Sequence, residues 1–276
     1  MAMSSITTEE LSGVPDWYAA PKRKPGGCYM HPPGERINNM NQKEMKMTPA
    51  PSSGATCRAK GQYQREFRKQ FDTACSRHNR WQVWSDFVIM CAISISNAID
   101  CDHAKAREET YLSLAKKYNE KELHCFTSMF VAIIHALEEE PDQDFLGELF
   151  MSFGLSNESG GQFFTPYHVC TMMAKINLPT TAEISKKGWI SVNDPACGAG
   201  ALLIAYANEC RLQGINYQTS VLFAAQDIDL IAGCMCYIQL SLLGCPGYVT
   251  IANSLTNPCT CLDEHALVPV YSENIW

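Results

Sequence analysis

Residues 188–213 read as strand, glycine turn and helix, and that order constrains the fold more than any other stretch of the chain. Gly188-Trp189-Ile190-Ser191-Val192 is a short apolar run with β-branched members. Asn193-Asp194-Pro195-Ala196-Cys197-Gly198-Ala199-Gly200 follows it, and Ala201 to Cys210 is helical in composition. Two glycines at a strand–helix junction let backbone N–H groups approach a bound group closely, and the helix N-terminus favours a carboxylate or phosphate. The alternation runs on both sides. Apolar periodicity predicts helices over 167–176, 200–213 and 230–243, and strands over 188–193, 221–226 and 248–252. That is the βαβ pattern of a parallel sheet covered by helices.

The string Asp194-Pro195-Ala196-Cys197-Gly198-Ala199-Gly200 resembles the S-adenosylmethionine (SAM) loop of adenine-N6 DNA methyltransferases. The likeness is strongest to the methylase subunit of type I restriction–modification systems. Upstream, Asp144-Phe145-Leu146-Gly147-Glu148-Leu149-Phe150 resembles that family's lead-in helix, and Gly161-Gln162-Phe163-Phe164-Thr165-Pro166 its opening segment. Downstream, Ala224-Ala225-Gln226-Asp227-Ile228-Asp229 ends a strand in an acidic residue, 27 positions after Gly200. Val249 to Leu255 resembles the third strand and its ending, with Asn253 where Asp is usual. The resemblance implies a SAM-dependent, Rossmann-like α/β methyltransferase sheet. Its cofactor contacts would fall on Phe164, Thr165 and Pro166; on Asp194, Pro195, Ala196, Gly198 and Gly200; on Asp227 for the ribose hydroxyls, with Ile228 beside it; and on Asn253, toward the adenine ring, and Ser254.

One family motif is missing. The Asn/Asp-Pro-Pro-Tyr/Phe tetrapeptide accepts hydrogen bonds from the target amine and stacks on the flipped base. The only Pro-Pro here is Pro32-Pro33, and the nearest string at the right place is Val268-Pro269-Val270-Tyr271. Tyr271 is therefore the one candidate catalytic residue, and the sheet is expected to be truncated after a fourth strand near 266–271. Such a sheet would end in an apolar edge, which invites a homodimer or a hetero-complex. Two functions follow from the resemblance. One is transfer of a methyl group from SAM to a flipped adenine. The other is a catalytically inactive SAM-binding module, a regulatory or assembly subunit of a DNA-modification complex.

Several of these residues have a plainer reading. Asp194 before Pro is also a turn residue, Asp227 also a helix N-cap, and Thr165-Pro166 also a cap with Pro at the first helical position. Cys234/Cys236 and Cys259/Cys261 lack the spacing of zinc ligands, so no metal is expected. No Ser/His/Asp or Cys/His set emerges, and His168 reads as a helix-start residue.

Charge divides the chain. Residues 1–80 carry 13 Lys/Arg against 7 Asp/Glu, and residues 81–276 carry 9 against 22. DNA, which needs basic surface to displace counterions, would be met by the N-terminal region. No run of 18 apolar residues and no secretory start occurs, so no membrane contact is expected. The 14 cysteines sit largely in apolar runs and read as buried thiols of a reducing cytoplasm. Three regions result: an extended arm over 1–60, rich in Pro, Gly and Ser; a helical domain over 61–150, free of glycine from 62 to 146; and the SAM-binding domain over 151–276. Within the second, helical spacing runs from Phe67 through Phe71 and on through Trp81, Trp84 and Cys91, followed by helices over 108–118 and 122–139.

Overall fold

The computed structural model describes residues 53–101, 104–156, 163–178, 184, 188–256 and 258, all within one compact unit, Pro51–Trp276. The first half is helical: α1 (Ser53–Ala74), α2 (Arg80–Ile99), α3 (Ala104–Ala115), α4 (Glu120–Glu139) and α5 (Phe145–Ser152). Helix thus begins at Ser53, ahead of the boundary that composition placed at 60. The continuous periodicity from Phe67 to Cys91 is broken in space. Asn79 ends a loop and caps α2, its side chain accepting from the N–H of Trp81 at 2.9 Å. Asn119 does the same for α4 within a capping box completed by Glu122.

The helices are held by aromatic packing. Phe67, fully buried on α1, has ring contacts with Phe71, Trp84, Phe87, Phe145 and Phe153 between 5.6 and 6.5 Å. Helix α2 has the length and apolar composition of a membrane span, but ten of its residues are buried within the protein. Among them Asp86 is satisfied by Lys117 Nζ at 3.0 Å and the Tyr118 hydroxyl at 2.8 Å. The apolarity of α2 thus answers to a protein core.

The second half runs α6 (Tyr167–Asn177), β1 (Ile190–Asp194), α7 (Ala201–Leu212), a single turn α8 (Tyr217–Ser220), β2 (Val221–Asp227), α9 (Leu230–Leu242) and β3 (Gly247–Ile251). The three strands are parallel, in the order β1-β2-β3. Val192 lies opposite Phe223, and Ala225 opposite Val249, so their side chains share the apolar face. Alternation of helix and strand therefore gives the α/β sheet that the sequence pattern predicts, with every boundary within two residues of expectation. Buried residues from Phe67 on α1 to Val249 on β3 form one hydrophobic cluster. Helix α9 is the bridge. Its Gln239 reaches α5, and its Tyr237 hydroxyl accepts from Ser96 Oγ of α2 at 3.1 Å.

Candidate functional site

Parallel strands place their carboxyl ends together, so Asp194 at the end of β1, Asp227 at the end of β2 and Asn253 just beyond β3 lie along one margin of the sheet. Open α/β sheets bind ligands at this margin. The loop from Asp194 to Gly200 is anchored almost residue by residue. Ala196 N–H donates to Asp194 Oδ1 at 3.1 Å, the turn bond open to an Asp before Pro. Cys197 N–H donates to the Gln226 carbonyl at 3.0 Å, and Gly200 N–H to the Cys197 carbonyl at 2.8 Å. Gly198 N–H donates to Asp227 Oδ2 at 2.8 Å.

Gly198 and Gly200 have φ of 55° and 95°, the left-handed region that glycine enters without strain. Space is tight for a side chain as well. A Cβ on Gly198 would sit 3.2 Å from the Phe164 ring, and one on Gly200 would sit 2.9 Å from Cys236 Sγ. Phe164 stacks in turn on Phe150 of α5 at 5.4 Å. The loop is thus held between an aromatic wall and α9. Gly200 caps α7 with no side-chain bond, and the first N–H groups of any helix lack intrahelical partners.

Phe164, Thr165, Asp194, Ala196 and Gly198, five of the residues expected at the cofactor, line one cavity of about 200 Å³. Ala201 and Leu202 from the first turn of α7 line it too. Burial, with the Asp227 carboxylate nearby, holds Asp194 above the usual carboxylate range, although the Ala196 N–H pulls the other way. The remaining expected residues lie outside the cavity. Pro195 is exposed, and Gly200 is buried behind the loop. Pro166 is exposed and is itself the N-cap of α6, so Thr165 does not cap that helix. Asp227 does not cap α9 either. That role belongs to Asp229, which accepts from Ala232 N–H at 2.8 Å, while Asp227 accepts from Asp229 N–H at 2.9 Å. Ile228, beside it, is 70% exposed. Asn253 closes a turn by accepting from Leu255 N–H at 2.9 Å, and Ser254 is half-buried. Tyr271, the 266–276 edge and most of the N-terminal arm lie outside the described residues.

Sequence reasoning missed Asp144, Phe163, Cys170 and Met173, which line the same cavity. Asp144 is the buried N-cap of α5, accepting from Gly147 N–H at 2.9 Å. An Asp three residues ahead of Gly147 signals a cap in the sequence, but nothing in its spacing points to a cavity formed 50 residues later. Cys170, with its Sγ 3.7 Å from the Thr165 carbonyl, is pushed up to about 11 by burial and stays a thiol. Cys236 is likewise pushed up, by its contact with the Cys197 thiol and by burial. Among the described residues, no group of three or more His, Cys, Asp or Glu side chains is placed to hold a metal ion.

The three parallel strands, with a glycine loop and two acidic strand ends at their carboxyl margin, define an α/β protein with a cleft where open sheets of this class bind ligands. Residues 144–272 match the family model described as N-6 DNA Methylase. Over that segment the chain resembles the adenine-N6 DNA methyltransferases, the family to which its motifs point. Among solved structures, it is similar to the methyltransferase subunit of a type I restriction-modification system from Streptococcus thermophilus, with 14% identity, a TM-score of 0.36, and cover of 76% of this chain and 60% of that one. No curated protein matches the chain.

Proposed function

We propose that the chain binds SAM at the carboxyl margin of its sheet and serves methyl transfer to adenine N6 in DNA. The observation that carries this reading is the cavity enclosed by Phe164, Thr165, Asp194 and Gly198 at the start of α7. Its volume, about 200 Å³, is below the range of sites that engulf a whole drug-sized ligand. It suits the amino-acid end of SAM, with the nucleoside lying outward along the margin. Asp194 is then placed for the ammonium group, and the α7 N-terminus for the carboxylate. Asp227 can accept ribose hydroxyls on lone pairs beyond those that hold Gly198 and Asp229, and exposed Ile228 offers an apolar surface to adenine. SAM itself supplies an electrophilic methyl group. DNA would be met by the basic N-terminal region, within a complex with other subunits.

Calorimetric titration with SAM, followed by transfer of tritiated methyl groups to unmethylated DNA, tests both halves. Binding is expected. Transfer by the purified chain alone is expected to be absent or very slow, because Val268 offers no acceptor where the family places Asn. No binding at millimolar SAM would sink the cofactor reading, and brisk N6-methyladenine formation would refute the expectation of slow transfer.

Asp194→Asn separates the ligand role of Asp194 from its turn role. Asn keeps an oxygen for the Ala196 N–H but loses the charge. Affinity for SAM is expected to fall by roughly 1.5–3 kcal/mol, the worth of a hydrogen bond to a charged group. Stability should move the other way. The folded pKa of Asp194 is raised, so between the ordinary carboxylate pKa and this higher value the folded state holds more protons than the unfolded one. Stability therefore falls as pH rises through that window and stays reduced above it. Asn removes this loss, so the variant should melt at or above the wild-type temperature at pH 7. Unchanged SAM affinity would leave Asp194 a turn residue only.

A further inference from the structure

We infer that Gln239, on α9 and outside the cavity lining, is a positioning residue that fixes the glycine loop in its binding geometry. Its carboxamide is fully buried between three backbone and side-chain groups. Nε2 donates to the Ala199 carbonyl at 2.9 Å and to Asp144 Oδ1 at 2.8 Å. Oε1 accepts from Leu146 N–H at 3.1 Å. A carbonyl and a carboxylate accept while an N–H donates, so the partners dictate which way the amide faces. Both donors and the acceptor are engaged, and no other neutral side chain of this length offers two donors and an acceptor in one plane.

The bond to Ala199 completes the restraint of the loop. Ala196, Cys197, Gly198 and Gly200 are held by their N–H groups. The tie from α9 comes instead through the carbonyl of Ala199. The same amide joins the loop to the first turn of α5, where Asp144 reaches the cavity. Position of the loop and capping of α5 thus share one side chain. Loss of that side chain frees Ala199 to rotate, and the adjoining glycines, already in the left-handed region, offer little resistance.

The inference rests on the SAM reading for its functional half only. The test uses the full chain as wild type, Gln239→Leu and Gln239→Met, the last preserving side-chain volume if leucine impairs folding. Amide hydrogen exchange is measured without ligand at Gly198 and Gly200, with Phe223 and Ala225 of β2 as internal controls. Affinities for S-adenosylhomocysteine and 5′-methylthioadenosine, which lacks the amino-acid end, are measured by calorimetry. Expected are loop amides exchanging at least tenfold faster with β2 unchanged, and S-adenosylhomocysteine affinity falling about tenfold or more while methylthioadenosine changes less than twofold. Loop amides exchanging at the wild-type rate would overturn the inference. So would loop and β2 amides speeding up together, or equal losses for the two ligands, because the amide would then serve the fold as a whole. A wild-type chain that binds neither ligand rejects the SAM reading, and the exchange rates still decide the role of Gln239.

Discussion

Gly200→Val should destabilise the protein by about 3 kcal/mol or more and remove SAM binding. Two costs add. At φ 95° an L residue is strained by roughly 1–2 kcal/mol, and a β-branched one by more. Its Cβ would also lie 2.9 Å from Cys236 Sγ, on a helix whose inner face is buried, and overpacking of that kind costs about 1–3 kcal/mol. The chain can relieve the strain only by rotating the Cys197–Gly200 turn, and that turn shapes the cavity. Urea denaturation and SAM calorimetry measure the two effects. A variant within 1 kcal/mol of wild type that still binds SAM would show that the loop tolerates a different path.

Phe67→Ala should cost about 3–5 kcal/mol, as expected for a buried aromatic that leaves a cavity. The ring lies among the contacts of α1, α2 and α5, meeting Trp84, Phe87 and Phe145. More telling is how the loss is distributed. Phe67 touches Phe145 of α5, Phe150 of α5 stacks on Phe164, and Phe164 borders Gly198. The hydrophobic cluster does not break between helices and sheet. Unfolding should therefore be one transition, with helical signal and SAM binding lost at the same urea concentration in both wild type and variant. Two separate transitions would mean that the residues before 151 fold on their own.

Local signals carried most of the fold. The strands at 190, 221 and 247 and the helices between them follow from alternation and glycine turns, which act over a few residues. The break between α1 and α2 was hidden because Phe71, Ala74, His78 and Trp81 keep helical spacing across it; Asn79, a good cap residue, was the one mark of a new start. The glycine loop was legible because its residues are consecutive. What could not be read were the side chains that meet it from afar. Asp144 and Gln239 are 95 positions apart, and no spacing rule brings them together. Asp227 was placed correctly on its strand end, but its grip on Gly198 depends on how β1 and β2 align, which only the sheet register shows.

The restraints on the loop come from β2, from α9 and, through Phe164, from the segment ahead of α6. A graft of Asp194–Gly200 onto another parallel sheet would carry the glycines and leave all three supports behind. The smallest portable unit of this site is therefore most of residues 144–251, and exchange of parts between such proteins should succeed only when α5 and α9 travel with the loop.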